Sequence, residues 1–242
     1  MLRIIIIGIY VAFFLIMSLI AQPIMLLIGL FSKSARDKAS LAIVNHGFKV
    51  ALFMAGTKVT IYGEENVPKD EPVLYILNHH SIFDIVLTYV RVPRPTGYVS
   101  KKEMGKYLML TWWMKLLHCE LLDRSDLRKG MQSINNCVDR INNGISIAIF
   151  PEGTRNKTDV PLLEFHKGSF KIAEKTGCKI VPIVLTNTSS IFEDHLPFVK
   201  KADVTIDYLP PIDVAAMSRE EKRSLADMVH SIMEEAYLKR VG

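Results

Sequence analysis

The sequence predicts an α/β fold: a single domain with a central, mostly parallel or mixed sheet flanked by helices, preceded by an N-terminal helical membrane element. Three observations predict it. Short apolar runs bounded by turn residues recur from Lys58 onward, and helical stretches lie between them. Such alternation implies a sheet covered by helices. The first thirty residues, in contrast, are apolar almost without interruption. The chain divides accordingly into a membrane-associated helical segment, residues 1–56, and an α/β domain, residues 57–242.

From Ile4 to Phe31 there is no charged residue. One straight helix over that stretch would run about 42 Å at 1.5 Å per residue, longer than a hydrocarbon core of roughly 30 Å. Pro23 lacks an amide hydrogen and favours a kink or break there. Two geometries fit: a single tilted span, or a helix that dips into one leaflet and pairs with the next segment. That next segment, about Ala35 to Ala55, mixes Ile43, Val44, Phe48 and Leu52 with polar residues and suits the membrane interface. A cleaved signal peptide is disfavoured: the apolar stretch is long for one, and no small-residue cleavage site follows. Lys33, Arg36 and Lys38 place the following domain on the cytoplasmic face of the cell membrane, with Arg3 opposing weakly.

In the α/β part, Val73 to Leu77, Glu120 to Leu122, Ile145 to Phe150, Lys179 to Leu185 and Val204 to Tyr208 read as strands. Asp126 to Asn142 carries Leu127, Met131, Ile134, Val138 and Ile141 at helical spacing. Ser169 to Thr176 is a shorter helix stopped by Gly177. Ser218 and Glu221 stand at capping-box distance before an amphipathic tail with Leu225, Met228, Val229, Ile232 and Met233.

Composition bounds the function. Hydrophobic residues make up 49% and charged residues 23%, which excludes a disordered chain. The 30 Lys+Arg against 25 Asp+Glu leave +5, suited to anionic partners such as phospholipid headgroups. No basic stripe with interleaved aromatics appears, so nucleic acid is not expected as a partner. Cys119, Cys137 and Cys178 are odd in number and lack CxxC spacing, which reads as free buried thiols.

Ligands of open α/β sheets sit beyond the carboxyl ends of strands. Three polar loops follow predicted strands directly: Asn78-His79-His80-Ser81, Asp123-Arg124-Ser125 and Pro151-Glu152-Gly153-Thr154-Arg155. In NHHSIFD, Ser81 and Asp84 form a helix-start signal, with His79 just before the helix and Asp84 in its first turn. The carboxylate can then reach back to the imidazole, the pairing a general base needs. The competing role for Asp84 is a helix cap alone. A metal site is not expected, because His79 and His80 are adjacent and no further ligand cluster is present. GxSxG, GxGxxG and GxxxxGK[ST] are all missing. A base without a protein nucleophile points to direct transfer, with the acceptor hydroxyl as nucleophile. In FPEGTR, Gly153 allows close backbone approach and Arg155 suits a phosphate. Arg124 and Lys101 are further phosphate candidates.

These residues resemble the 1-acyl-sn-glycerol-3-phosphate acyltransferase family of glycerolipid acyltransferases. Its NHxSxxD signature is matched by Asn78, His79, Ser81 and Asp84, and FPEGTR is intact from Phe150 to Arg155. Leu121-Leu122-Asp123-Arg124 and Val181-Pro182-Ile183 are similar to two further blocks, in family order, over about Thr57 to Ile212. His80 stands where relatives often carry Gln, and Cys119-Glu120 departs from the usual small residues. The resemblance implies that His79, oriented by Asp84, deprotonates the sn-2 hydroxyl of lysophosphatidic acid, which attacks the thioester of acyl-CoA or acyl-carrier protein to give phosphatidic acid. Arg155, with Gly153, Glu152, Thr154, Arg124 and Lys101, would hold the acceptor phosphate, with Glu152 orienting Arg155 or binding a glycerol hydroxyl. No cofactor or metal is implied. Other lysophospholipids or glycerol-3-phosphate are alternative acceptors, and a noncatalytic lipid-binding membrane protein is the reading from a different class. Met109, Trp112, Trp113 and Met114 are expected to line an acyl tunnel or touch the interface, or else to pack as ordinary core.

Overall fold

The computed structural model describes residues 2–123 and 125–241; Arg124 lies outside the described residues. The chain opens with two long helices, α1 (Leu2–Phe31) and α2 (Lys33–Ala55), joined at Ser32, whose Oγ accepts from Ala35 N. Gly56 closes α2 in the left-handed conformation that glycine favours. Then follow β1 (Lys58–Tyr62), β2 (Leu74–Leu77), α3 (Phe83–Tyr89), β3 (Thr96–Lys101), α4 (Leu108–Leu116), β4 (Glu120–Leu122) and α5 (Leu127–Asn142). β5 (Ser146–Ile149), α6 (Lys171–Thr176), β6 (Ile180–Thr186), β7 (Asp203–Tyr208), α7 (Arg219–Arg223) and α8 (Leu225–Val241) complete it.

The seven strands form one sheet in the order β1-β7-β6-β2-β5-β3-β4. β6, β2, β5, β3 and β4 pair in parallel; β7 runs antiparallel to β6 and parallel to β1. The sheet is therefore mixed. Its central strands are buried on both faces and read as continuous apolar runs, because helices cover each side. Alternation assigns the faces. Leu74, Ile76, Ile147, Ile149, Ile180 and Val184 pack with α5, α6 and α8. Tyr75, Leu77, Ala148, Val181, Ile183 and Leu185 pack on the other side with the first four helices.

The N-terminal helices form an antiparallel hairpin. Tyr10 Oη donates to the Gly47 carbonyl, and Gly47 is where the ring of Phe14 comes so close that a Cβ would meet it at 2.9 Å. Pro23 does not end α1, which runs on to Phe31. The missing amide hydrogen bond is tolerated because neighbouring polar contacts hold this stretch: Gln22 Nε2 donates to the Met109 carbonyl and Trp113 Nε1 to Ser18 Oγ, at 3.1 and 2.7 Å. Phe14, Ser18, Ala21, Met25 and Ile28 make a stripe at helical spacing that faces the domain. The opposite side of α1, with Phe13, Ile16, Leu19, Ile20, Leu27 and Phe31, is exposed. Trp113 is buried against Phe14 and anchors α1, so its role is core packing rather than lining a tunnel. The cysteines are free, Cys137 buried and the other two half-buried.

Candidate active site

Parallel pairing brings the ends of β2, β5, β3 and β4 to one edge of the sheet, so the three polar loops share that edge. Asn78, the first residue after β2, is buried. Its side chain accepts from Leu185 N and donates to Leu185 O, both at 2.8 Å. It thus continues the ladder to β6 and lets the backbone turn away at His79.

His79 Nδ1 lies 2.9 Å from Asp84 Oδ2. The same oxygen accepts the amides of His80 and Ser81, at 2.8 and 2.7 Å. Three donors on one oxygen fix the carboxylate and place the imidazole proton on Nδ1, which leaves the Nε2 lone pair for chemistry. Asp84 is wholly buried, while the His79 side chain keeps some exposure. Asp84 therefore caps the helix start and holds the imidazole at once. The second support comes from Phe150, whose ring stacks on His79 at 4.1 Å between centroids and 25° between planes.

Backbone bonds tie the FPEGTR loop to this couple. Asn156 N donates to the His79 carbonyl at 2.6 Å. Glu152 is buried, and its Oε1 and Oε2 accept the amides of His79 and Leu163, at 2.8 and 3.1 Å. Glu152 does not orient Arg155: both its oxygens are committed to backbone amides. Its role here is to hold the loop that carries His79. Burial pushes its carboxyl up to about 7, against the two amide bonds that lower it, with the charge of Asp84 adding to the rise. Gly153 sits at φ 73°, the left-handed region open to glycine, in a turn closed by its amide to the Phe150 carbonyl. Thr154 is exposed.

Arg155 points to the same edge, and its partner is Glu193, with Nη1 2.8 Å from Oε1. Glu193 also takes Ser81 Oγ at 2.5 Å and Ile82 N at 2.8 Å. The sequence offered no signal for Glu193, which stands on a short 3-10 turn after β6. Lys101 ends β3, exposed, on an open pocket shared with Lys102 and Leu122. Its neighbour Lys102 binds Asp123 at 2.8 Å. Arg124, a sequence candidate, lies outside the described residues. His80 turns away from the couple and stacks on Tyr237 of α8 at 5.6 Å; burial lowers its pKa, with Asp84 opposing. A cavity of about 530 Å³ opens between α5 and α6, walled by Met131, Ile134, Ile149 and Phe150 with Lys171 and Lys175 at its border. Among the described residues, no three His, Cys, Asp or Glu side chains group as metal ligands.

An α/β domain with a carboxylate-held imidazole at its strand ends, beside an arginine, has the layout of a general-base enzyme acting on a hydroxyl. A family model described as Acyltransferase matches residues 58–186, and the chain belongs to the acyltransferase family. A Borreliella burgdorferi protein named 1-acyl-sn-glycerol-3-phosphate acyltransferase is 29% identical over 192 residues, 79% of this chain and 76% of that protein. Proteins of the same name from Saccharomyces cerevisiae and Cocos nucifera are 29% and 32% identical over 81% and 76% of this chain, but only 64% and 59% of their own lengths. The fold is that of the Thermotoga maritima protein PlsC, whose crystal structure is described as a 1-acyl-sn-glycerophosphate acyltransferase: TM-score 0.79, 22% identity, 98% of this chain and 97% of that one.

Proposed function

We propose that this chain acylates the sn-2 hydroxyl of 1-acyl-sn-glycerol-3-phosphate, giving phosphatidic acid. The observation that carries this reading is the direct bonding of the FPEGTR loop to the His79–Asp84 couple, through Asn156 N and Glu152. One loop supplies the base and the other, through Arg155, a cation for the acceptor phosphate. The names of the relatives supply the acceptor.

The mechanism follows from the geometry. His79 Nε2 takes the proton of the acceptor hydroxyl as its oxygen attacks the thioester carbonyl carbon. Asp84 stabilises the imidazolium through Nδ1–H. The tetrahedral intermediate collapses, the C–S bond breaks, and the proton on Nε2 passes to the leaving thiolate. An ester forms and a thiol leaves. Acyl-CoA and acyl-carrier protein carry the same pantetheine thioester, so either donor suits this chemistry. The apolar cavity beside Phe150 is our site for the donor chain. The phosphate is held by Arg155 with the Gly153–Thr154 backbone, Lys101 and Arg124.

We also read residues 1–56 as a membrane attachment lying along one leaflet, and residues 57–242 as the catalytic domain on the cytoplasmic face of the cell membrane. The support is that α1 doubles back on α2, is clasped to α4 at Ser18 and Gln22, and exposes apolar residues on its other side. A helix tied back in this way favours lying along one leaflet over a free-standing span. The test is an acyl-transfer assay on the full chain in phospholipid vesicles, comparing lysophosphatidic acid, glycerol-3-phosphate and lysophosphatidylcholine. Lysophosphatidic acid should be the best acceptor, and a preference for either other would overturn that assignment. His79→Ala should lower kcat on the order of 10²–10⁴-fold, with vesicle binding kept. Unchanged turnover would end the general-base reading.

A further inference from the structure

We infer that Glu193 is a positioning residue: it locks the Arg155 guanidinium to the loop that carries the base, and so fixes where the acceptor phosphate sits relative to His79. The inference rests on the phosphate-binding reading of Arg155 and goes beyond it by naming what aims that side chain.

Three donors converge on this one carboxylate. Oε2 accepts Ser81 Oγ–H at 2.5 Å, and Oε1 accepts both Ile82 N–H at 2.8 Å and Arg155 Nη1 at 2.8 Å. Ser81 Oγ in turn accepts Phe83 N, and Ser81 N donates to Asp84 Oδ2. A continuous chain of hydrogen bonds therefore runs from Arg155 through Glu193 and Ser81 to the carboxylate that holds His79. These groups are 38, 112 and 111 positions from Glu193 in sequence, so no local preference of the chain explains their meeting. The turn that carries Glu193 is itself held by the fully buried Ile191 just before it.

Charge and burial make the same case. The Glu193 side chain is 12% exposed, and that of Arg155 is 40% exposed. A guanidinium has five N–H donors in a fixed plane, and Glu193 takes one end of it. With two-fifths of the side chain exposed, the guanidinium keeps donors within reach of a phosphate. Without a partner, an exposed arginine samples many rotamers. The negative charge of Glu193 would repel a phosphate if bare, but the three donors engage it.

The experiment measures steady-state kinetics of the full chain in vesicles for wild type, E193A, E193Q, R155A and E193A/R155A. Each is assayed with lysophosphatidic acid and with 1-monoacylglycerol, which has the same hydroxyl and no phosphate. E193A should raise KM for lysophosphatidic acid roughly 10- to 100-fold, the loss of one charge-assisted hydrogen bond. The KM for the thioester should stay within about twofold of wild type, the rate with monoacylglycerol, which senses only the loosened Ser81–Ile82 loop, should fall far less than kcat/KM with lysophosphatidic acid, and E193Q, which keeps a carbonyl acceptor, should fall between. The double variant should match R155A, because Glu193 acts through Arg155. An equal loss with monoacylglycerol, or a further rise in KM when E193A is added to R155A, would overturn the inference. So would a normal KM in E193A while R155A raises it. If R155A itself leaves KM for lysophosphatidic acid unchanged, the phosphate-binding reading fails first and the inference falls with it.

Discussion

Phe150 stacks on His79 with ring centroids 4.1 Å apart, so the residue that follows β5 supports the imidazole supplied by the loop after β2. Asp84 holds one ring nitrogen; the aromatic face restrains the plane. Phe150→Leu keeps apolar bulk and removes that flat face. We expect kcat to fall roughly 10- to 100-fold, the effect of a small misplacement of a catalytic group, with KM for the acceptor little changed. Rapid-quench kinetics on the folded variant checks it.

Glu152 should tie stability to pH. Its carboxyl titrates at about 7 in the folded protein against an ordinary value of 4.5. Between those values the native state holds a proton that the unfolded state has lost, so this group's stabilisation is full below about pH 4.5 and is lost as pH rises through about 7. Glu152→Gln removes the titration and turns an N–H donor toward one of the two backbone amides it served, costing about 1–3 kcal/mol. The penalty should be larger at pH 5 than at pH 8. Chemical denaturation in detergent at the two pH values measures it, and an equal penalty at both would contradict the assignment.

His80 should act in the opposite sense. Burial holds its folded pKa below 6.5. As pH falls below 6.5 the unfolded chain gains a proton that the native state does not, and stability declines. His80→Gln should flatten this acid limb, read as a smaller drop in melting temperature between pH 7.5 and 5.5.

Trp113 should prove to be the clasp of α1. Trp113→Phe keeps a ring against Phe14 but leaves Ser18 Oγ without its donor, at a cost of about 1–3 kcal/mol. Trp113→Ala should cost about 3–5 kcal/mol through the cavity left behind. Both variants should still float with vesicles, because the exposed apolar side of α1 is untouched. Thermal unfolding and vesicle flotation separate the two effects.

Much of this architecture was legible in the residues. The strands β2, β5 and β6 are unbroken apolar runs because both their faces are covered, and the reach of Asp84 back to His79 follows from a five-residue spacing at a helix start. The capping box of Ser218 and Glu221 is present, but the tail is two helices, broken at Ser224. β3 was not legible: TGYVSK carries glycine and polar residues, and it is a strand because β5 and β4 flank it. The resemblance assigns Glu152 to orienting Arg155 or binding a glycerol hydroxyl, but it is a buried acceptor of amides, since only folding brings His79 N and Leu163 N to it. Glu193 had no motif to mark it, because its partners meet it only through the order of the sheet.

The clasp between α1 and α4 also orders events during synthesis. Ser18 and Gln22 leave the ribosome long before Trp113 and Met109, which follow 95 and 87 residues later. Until then the apolar stripe of α1 has only α2 to shelter it. On the membrane-attached reading, the nascent chain parks its first helix in lipid, or with an insertion factor, before it owns a core. Translation in the absence of any bilayer should give aggregated polypeptide rather than a soluble enzyme.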